Sequence, residues 1–355
     1  MVDKWIKRIL LSPFALLFGI GVAIKSLIYK VGLLKGVVFS IPVINVGNLT
    51  IGGAGKTPHV EYLIRLLSPY LPVGTLSRGY KRKTRGFMLI RPGFNSDQAG
   101  DEPLLYARKY PGVAVSVCES RSIGIPKLLQ ARPQTRVVLL DDAYQHMAIE
   151  PNLNILLTEY DEPFYEDWLL PAGRLREWRV GYQRADLIIV TKCPLVLSPL
   201  ERDEILKKIK PVKDQRVFFS RYGYFAPYRM WDPQLRTEIT DEHEVLLICG
   251  IAKTDYLLEY LNTKAGAVKL IQFEDHHVYT RRDLEMIKKY YDNMIGDKRM
   301  VLTTEKDAMR LEGFRDFFSE HNLQIDILPV QVSFLFDEGP KFDDWIQHFL
   351  LNFTV

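Results

Sequence analysis

Cysteine is scarce in this chain. Three residues in 355, Cys118, Cys193 and Cys249, stand far apart, each in or beside an apolar run. That distribution excludes a disulfide framework and a Cys-x-x-Cys metal site, and it reads as buried free thiols in a reducing compartment. Excess charge is lacking too: 47 Lys and Arg against 43 Asp and Glu give +4 at pH 7. With the basic residues largely interspersed among acids, no nucleic-acid surface is expected, and nothing points to an obligate protein partner. There is no internal repeat and no low-complexity tract. What remains is a chain longer than one hydrophobic core usually serves, so two domains are expected, each able to bury its own core.

Charge is missing altogether from Ile9 to Ile24, sixteen residues preceded by Lys4, Lys7 and Arg8 and followed by Lys25, Lys30 and Lys35. As a helix this run would be about 24 Å long at ~1.5 Å per residue, short of a hydrocarbon core of about 30 Å. Cations at both ends lack the one-sided bias that orients a spanning helix, and they suit a helix lying at an anionic surface. A signal peptide shares the basic start and the apolar run, but no A-x-A-like cleavage site follows. A buried core helix is the plainer alternative. The segment 1–35 is read as a membrane-associated helix.

Beyond it, apolar and often β-branched runs at 42–47, 71–76, 113–118, 136–140, 153–158 and 186–190 alternate with helix-like stretches at 58–67, 100–110, 121–131 and 198–209. This rhythm predicts an α/β fold with a mostly parallel sheet covered on both faces, whose ligands bind beyond the carboxyl ends of the strands. The expected division places this domain at 36–220, a linker at 221–240 containing Pro227 and Pro233, and a smaller α/β domain at 241–355.

Thr50-Ile-Gly-Gly-Ala-Gly-Lys-Thr57 follows the first β-like run and opens the first helix-like one. That is the context of a phosphate-binding loop, and it makes the sheet P-loop NTPase-like. Gly52, Gly53, Ala54 and Gly55 would turn backbone N–H groups onto an oxyanion, Lys56 would reach the β/γ-phosphates, and the Thr57 hydroxyl would ligate Mg²⁺. One position departs from G-x-x-x-x-G-K-[ST]: Thr50 stands where the first glycine belongs.

Other strand ends carry further candidates. Arg136-Val-Val-Leu-Leu-Asp141-Asp142 is an apolar strand closed by two carboxylates, suited to holding Mg²⁺ or its water shell beside the phosphates. Ser77-Arg78-Gly79-Tyr80 leads into Lys81, Arg82, Lys83 and Arg85, a loop that is either solvated or holds an anionic substrate. Ala172-Gly-Arg174-Leu-Arg176-Glu177 is a second basic loop with an embedded acid. Gly100-Asp101-Glu102-Pro103 reads as an acidic first helical turn. Against that stands Asp275-His276-His277, on a loop ahead of the Thr280/Asp283 helix cap, since a carboxylate and an imidazole brought together from two domains would make a base for deprotonating an alcohol. Joint metal binding by His276 and His277 is a weaker alternative. Thr191-Lys192-Cys193-Pro194 resembles the guanine-reading N/T-K-x-D element of GTPases, but Pro194 replaces its carboxylate, so ATP is the expected nucleotide.

Taken together and in this order, Val46-Gly-Asn-Leu-Thr-Ile-Gly-Gly-Ala-Gly-Lys-Thr-Pro58, Ser77-Arg-Gly-Tyr80, Gly100-Asp-Glu-Pro103, Asp141-Asp142 with Gln145-His146, Pro171-Ala-Gly-Arg-Leu-Arg-Glu177, Asp275-His276 and Thr303-Thr-Glu-Lys-Asp307 resemble the tetraacyldisaccharide 4′-kinases, the membrane-associated lipid A 4′-kinases of Gram-negative bacteria. The resemblance covers nearly the whole chain. It implies an ATP- and Mg²⁺-dependent kinase acting on the 4′-hydroxyl of an acylated glucosamine disaccharide 1-phosphate, at the cytoplasmic face of the inner membrane. Carried over residue by residue, it implies phosphate binding at Lys56 and Thr57 and metal binding at Asp141 and Asp142, with Glu177 a further metal or nucleotide contact. It also implies proton acceptance by Asp101 with His276, and substrate contacts from Ser77, Arg78 and Tyr80. Two rival readings remain: a membrane-bound nucleotide switch, and a soluble small-molecule kinase whose N-terminal helix is buried.

Overall fold

The computed structural model describes residues 2–251 and 253–354; the side chains of residues 2–5 and of Lys7 lie outside the described set, and with them the cations expected at Lys4 and Lys7. The strands in chain order are β1 (Val43–Asn48), β2 (Val73–Ser77), β3 (Met88–Leu89), β4 (Ala114–Val117), β5 (Val137–Asp141), β6 (Leu153–Glu159), β7 (Leu187–Thr191), β8 (Arg216–Tyr224), β9 (Tyr228–Arg229), β10 (Asp232–Arg236), β11 (His243–Cys249), β12 (Ala267–Gln272), β13 (Lys298–Thr304), β14 (Ile325–Leu328) and β15 (Val330–Phe334). Contacts divide the chain into two compact units, one of Met1–Ala99, Tyr106–Tyr222 and Val332–Val355, the other of Gly100–Leu105 and Gly223–Gln331.

The first unit carries a sheet of order β15-β8-β7-β6-β1-β5-β2-β4-β3. Its pairs from β8 through β4 are parallel, and β3 runs antiparallel to β4 at the edge. Every residue of β1, β2, β5 and β7 is buried, as strands covered on both faces require, the polar Asn45, Asn48, Thr75 and Ser77 among them. Helix Lys56–Leu67 packs on β1 and β5, and helix Arg121–Ala131 on β2 and β4. Because β1 pairs with β5 at Val46↔Asp141, the carboxyl ends of these strands, where the motifs fall, share one edge.

This is not the linear division expected from the sequence. The C-terminal helix Gly339–Leu351 belongs to the first unit, where Phe342 stacks on Phe334 at 4.5 Å and meets Phe218 edge-on at 5.3 Å. Tyr62, on the helix after the phosphate loop, donates to Asp343 at 2.7 Å. Residues 221–240 are also more ordered than a linker. They hold β9 and β10, an antiparallel edge of the second sheet. All five residues of β10 are exposed and Pro233 lies within it, which is why no hydrophobic alternation marks it in the sequence.

The N-terminal helix spans Val2–Lys30, with an apolar stretch from Arg8 to Lys30 of 23 residues. At ~1.5 Å per residue that stretch reaches about 34 Å, so the helix is longer than the uncharged run alone suggested, and length no longer argues against crossing a bilayer. Its attachment to the protein says more. Arg8 pairs with Asp167 at 3.6 Å, Leu11 and buried Ala15 join the core, Gly19 accepts from Trp178 Nε1 at 2.8 Å, and Lys25 donates to the Gln145 carbonyl at 3.2 Å. Arg8, Leu11, Ala15 and Gly19 recur at helical spacing, so one face docks along much of its length. A side chain at Gly19 would place its Cβ 2.6 Å from the Trp178 ring. Leu10, Phe14 and Leu17, off that face, are more than half exposed.

In the second unit the sheet order is β10-β9-β14-β13-β11-β12, parallel from β14 to β12. Strand alternation divides its core: Leu246 and Ile248 of β11 face one apolar cluster with Ile287 and Phe318, while Val245, Leu247 and Cys249 face another with Leu257 and Leu261. All three cysteine thiols are buried and unbridged.

Candidate functional site

In the first unit β1 ends at Asn48 and the chain turns through 49–55 into helix Lys56–Leu67. Gly52 (φ +113°) and Gly55 (φ +87°) take left-handed conformations that side chains resist, and no side chain caps the helix. Thr50 has a different task from the glycine it replaces. It forms a β-bridge with Leu175, flanked by hydrogen bonds from Ile51 N to Arg174 O and from Arg176 N to Leu49 O, both 2.7 Å. Asn48 Nδ2 donates to its carbonyl at 2.9 Å and lies 3.2 Å from its hydroxyl. Extended backbone needs no glycine, so the departure from the motif is the result of a strand-like pairing with the 174–176 loop.

That pairing delivers Arg176. Its guanidinium forks onto Asp142 (2.8 and 3.2 Å) and donates to the Asn48 carbonyl and side chain (2.8 and 2.5 Å). Lys56 donates to Asn48 Oδ1 at 3.1 Å and lies 3.8 Å from Asp142. Burial pushes the Asp142 carboxyl up, but Lys56, Arg176 and Arg121 outweigh it and hold it down at about 2. Asp142 sits at φ +55°, immediately after β5. Asp141, the last residue of β5, is buried and accepts from the Tyr106 hydroxyl at 2.9 Å. Thr57 is buried at the second position of its helix.

Glu177 is engaged elsewhere in this network. Arg184 grips both of its oxygens (3.0 and 2.8 Å), and Gln145 donates to it at 2.9 Å while also donating to the Asn48 carbonyl at 2.9 Å. The geometry therefore brings Lys56, Asp142, Asn48 and Arg176 into direct contact and connects Glu177 to them through Gln145. His146 accepts from the Arg121 amide at 3.3 Å; burial, with Arg121, Lys25 and Arg78, lowers it to about 4. His59, on the helix after the loop, is also lowered to about 4, by burial against the opposing effect of the Gly55 carbonyl. Both imidazoles are neutral at pH 7.

Ser77 ends β2 buried, with no hydrogen-bond partner for Oγ among the described residues. Arg78 and Tyr80 are exposed. The basic loop beyond them is partly consumed by its own acids: Arg82 pairs with Glu119 at 2.5 Å and Lys83 with Asp97 at 2.6 Å. Of the cations expected to meet an anionic substrate, these two are already matched.

The second unit holds the other half of the expected chemistry. Asp101 opens helix Asp101–Lys109 and, within segment Gly100–Leu105, clusters with the second unit, so it does not come from a different domain than His276. His276 Nδ1 lies 3.1 Å from Asp101 Oδ2, and Arg310 Nε donates to the same oxygen at 2.9 Å. Burial raises the Asp101 carboxyl, but His276 and Arg310 outweigh it, leaving it below the usual carboxylate range. With Asp101 ionised, Nδ1 carries the proton and Nε2 the basic lone pair. Nε2 faces Asp275 at 3.9 Å. His276 takes φ +61° and its amide donates to the Gly250 carbonyl, fixing the ring's origin. His277 turns away, bonding Asp283 at 3.0 Å and stacking on Phe273 at 4.5 Å, so the two histidines do not converge on one ion. Thr280 and Asp283 form the expected capping box.

Sequence reading missed Arg310, Arg184 and the direct role of Asn48. Arg310 lies two turns into a helix capped by Thr304, and also bonds Asp307 at 3.0 Å; the nearby Thr303-Thr-Glu-Lys-Asp307 motif was the available signal. Asn48 was visible as a polar residue closing an apolar strand.

A protein-family model described as tetraacyldisaccharide-1-P 4′-kinase matches residues 7–351. A tetraacyldisaccharide 4′-kinase of Phocaeicola vulgatus is 39% identical over 354 residues, covering 98% of this chain and 95% of that one. One from Flavobacterium johnsoniae is 40% identical over 328 residues, 92% of this chain and 93% of that one. Among solved structures, LpxK from Aquifex aeolicus in complex with ATP superposes with a TM-score of 0.73 at 28% identity, covering 97% of this chain and 99% of that one. With a family model matching residues 7–351 and relatives matching along nearly the whole length, the chain belongs to the tetraacyldisaccharide-1-phosphate 4′-kinase family.

Proposed function

We propose that this chain uses ATP to phosphorylate the 4′-hydroxyl of an acylated glucosamine disaccharide 1-phosphate, with the residues described above in defined roles. Lys56 and the N–H groups of 52–57 bind the β- and γ-phosphates, where fixed donors and positive charge stabilise the charge that develops on the transferring group. His276, oriented by Asp101, takes the proton of the attacking hydroxyl at Nε2. Thr57 and Asp142 supply hard oxygen donors for Mg²⁺, with Asp141 beside them. Among the described residues no three His, Cys, Asp or Glu side chains form a metal cluster, which fits an ion that takes its remaining ligands from phosphates and water. When bound, Mg²⁺ would neutralise phosphate charge. Arg78, with Ser77 and Tyr80, is assigned to the substrate's existing phosphate.

The observation that carries this reading is the Asp101–His276 hydrogen bond. A nucleotide switch that only hydrolyses ATP needs no base for an alcohol. The test is ATP consumption and lipid phosphorylation measured together, with and without the acylated disaccharide. Phosphate release that ignores the lipid would favour the switch.

The N-terminal helix is proposed as a monotopic anchor at the cytoplasmic face of the inner membrane. Docked by one face from Arg8 to Lys25, it cannot cross a bilayer without the body following, whereas its outer face offers Leu10, Phe14 and Leu17 to acyl chains. Replacing those three with serine should shift the protein from sedimenting with anionic vesicles to the supernatant. Unchanged sedimentation would reject the anchor.

A further inference from the structure

The Thr191-Lys192-Cys193-Pro194 element lacks the carboxylate that would read guanine, yet its first residue is wholly buried and makes a contact that the reaction as described does not use. Thr191 Oγ1, at the end of β7, donates to the Ala54 carbonyl at 3.0 Å, with the Thr158 carbonyl more distant at 3.3 Å. The next carbonyl of the phosphate loop is held as well. His59 Nδ1 lies 2.7 Å from Gly55 O, and since a carbonyl only accepts, Nδ1 carries the proton. Its Nε2 must then accept, which fits the Ser220 hydroxyl 3.0 Å away, itself buried on β8.

We propose that Thr191 and His59 are positioning residues for the nucleotide, holding two consecutive carbonyls of the phosphate loop outward so that the loop shows the phosphates only N–H groups. The physical reason is the polarity of the peptide. Each peptide plane has a donor on one edge and an acceptor on the other, so rotating the 54–55 or 55–56 plane would replace an attractive N–H with a carbonyl oxygen facing phosphate charge. Gly55, being glycine, offers little steric resistance to that rotation. A buried side-chain donor on each carbonyl supplies resistance, because rotation takes from the hydroxyl its nearer acceptor, leaving only the Thr158 carbonyl at 3.3 Å, and leaves the imidazole N–H unsatisfied. The first backbone bond of the helix, from the His59 N–H to the Gly55 carbonyl at 3.3 Å, helps to hold the 55–56 plane, whereas the Lys56 side chain attracts phosphate without specifying which way either plane faces.

The inference rests on reading 52–57 as the nucleotide loop, so the experiment includes Lys56→Ala. Thr191→Val keeps shape and removes the donor, Thr191→Ser keeps it, and Thr191→Cys keeps volume with a weaker one. His59→Leu removes the other donor, and His59→Asn restores an N–H near the Nδ1 position. The measurements are the Kd for MgATP, the KM values for ATP and for lipid, and the melting temperature. Losing one such hydrogen bond should raise the Kd and the KM for ATP about ten-fold while the KM for lipid stays within about twofold. Ser and Asn should recover most of the affinity. Folded Val and Leu variants that melt earlier but bind ATP like the parent would overturn the proposal, showing a merely structural role. If they do not fold, the Ser-to-Cys step decides, and equal ATP affinity in those two would overturn it. Loss of turnover in Lys56→Ala alongside unaltered ATP affinity in Thr191→Val removes the positioning role alone; retained turnover in Lys56→Ala removes the loop reading beneath it.

Discussion

Around Asp142 three cations, Lys56, Arg176 and Arg121, crowd one carboxylate, while around Asp101 and Asp307 two carboxylates share Arg310 and an imidazole. The first arrangement has positive charge to spare and sits at the start of a helix whose N–H groups have no side-chain cap. Such a surplus suits the polyanion proposed for it. The second, with the imidazole neutral, has one more carboxylate than cation, and its charges are spent on holding one ring in one orientation. A group that binds phosphate can tolerate ordinary pKa values so long as the field is positive, whereas a group that moves a proton needs its partner carboxylate ionised and fixed.

The comparison breaks first at Lys56. Lys56→Ala should lower kcat by about 10³ or more, since a charge aimed at the transferring phosphoryl group acts most strongly in the transition state. Lipid phosphorylation above a hundredth of the parent rate would mean that the surplus cation is not catalytic. At the carboxylate-rich site Asp101→Ala should lower kcat by about 10²-fold with a smaller rise in KM, and His276→Ala should cost about as much. Because the pair acts as a unit, the double variant should be little worse than either single one. Multiplying losses would separate the two residues, and a change confined to KM would reduce Asp101 to a helix-start residue.

The two regions also differ in how far the sequence disclosed them. The phosphate loop is contiguous, and β1, the glycines and the helix after them could be read off in order. The Asp101–His276 contact joins residues 175 apart. Each lay in a motif that could be noticed, but their pairing depends on a short segment, Gly100–Leu105, clustering with the second unit although most of its neighbours in sequence belong to the first. No local pattern encodes that exchange. Thr50 shows the same limit on a smaller scale: it looked like a defect until its bridge to Leu175 explained why extended backbone stands there. The parallel core and the buried cysteines follow from the apolar runs, the order of the strands in the sheet does not, and β10, exposed throughout, had no periodicity to follow.

Arg176→Lys is a milder challenge to the positive site. A lysine keeps the charge but cannot fork onto Asp142 while also reaching Asn48, so kcat/KM for ATP should fall about ten-fold. An effect below twofold would show that charge alone is needed there and that the geometry of the fork is incidental.

The smallest expected effect concerns acid stability. Asp142 is held at about 2 in the folded protein, whereas an unfolded aspartate takes up its proton near pH 4. A depressed carboxylate stabilises the fold above its unfolded pKa, and that contribution is lost as pH falls toward the folded value. The melting temperature of the parent should therefore drop between about pH 4 and pH 2 partly on account of Asp142, and Asp142→Asn should flatten that acid limb while leaving its shape between pH 6 and 8 unchanged. Asp101 is depressed as well, by His276 and Arg310, so Asp101→Asn should flatten the same limb. If Asp142→Asn leaves the limb as steep as in the parent, its three cations are not holding the carboxylate ionised, and the contrast between a surplus-cation site and a carboxylate-rich one loses its electrostatic basis.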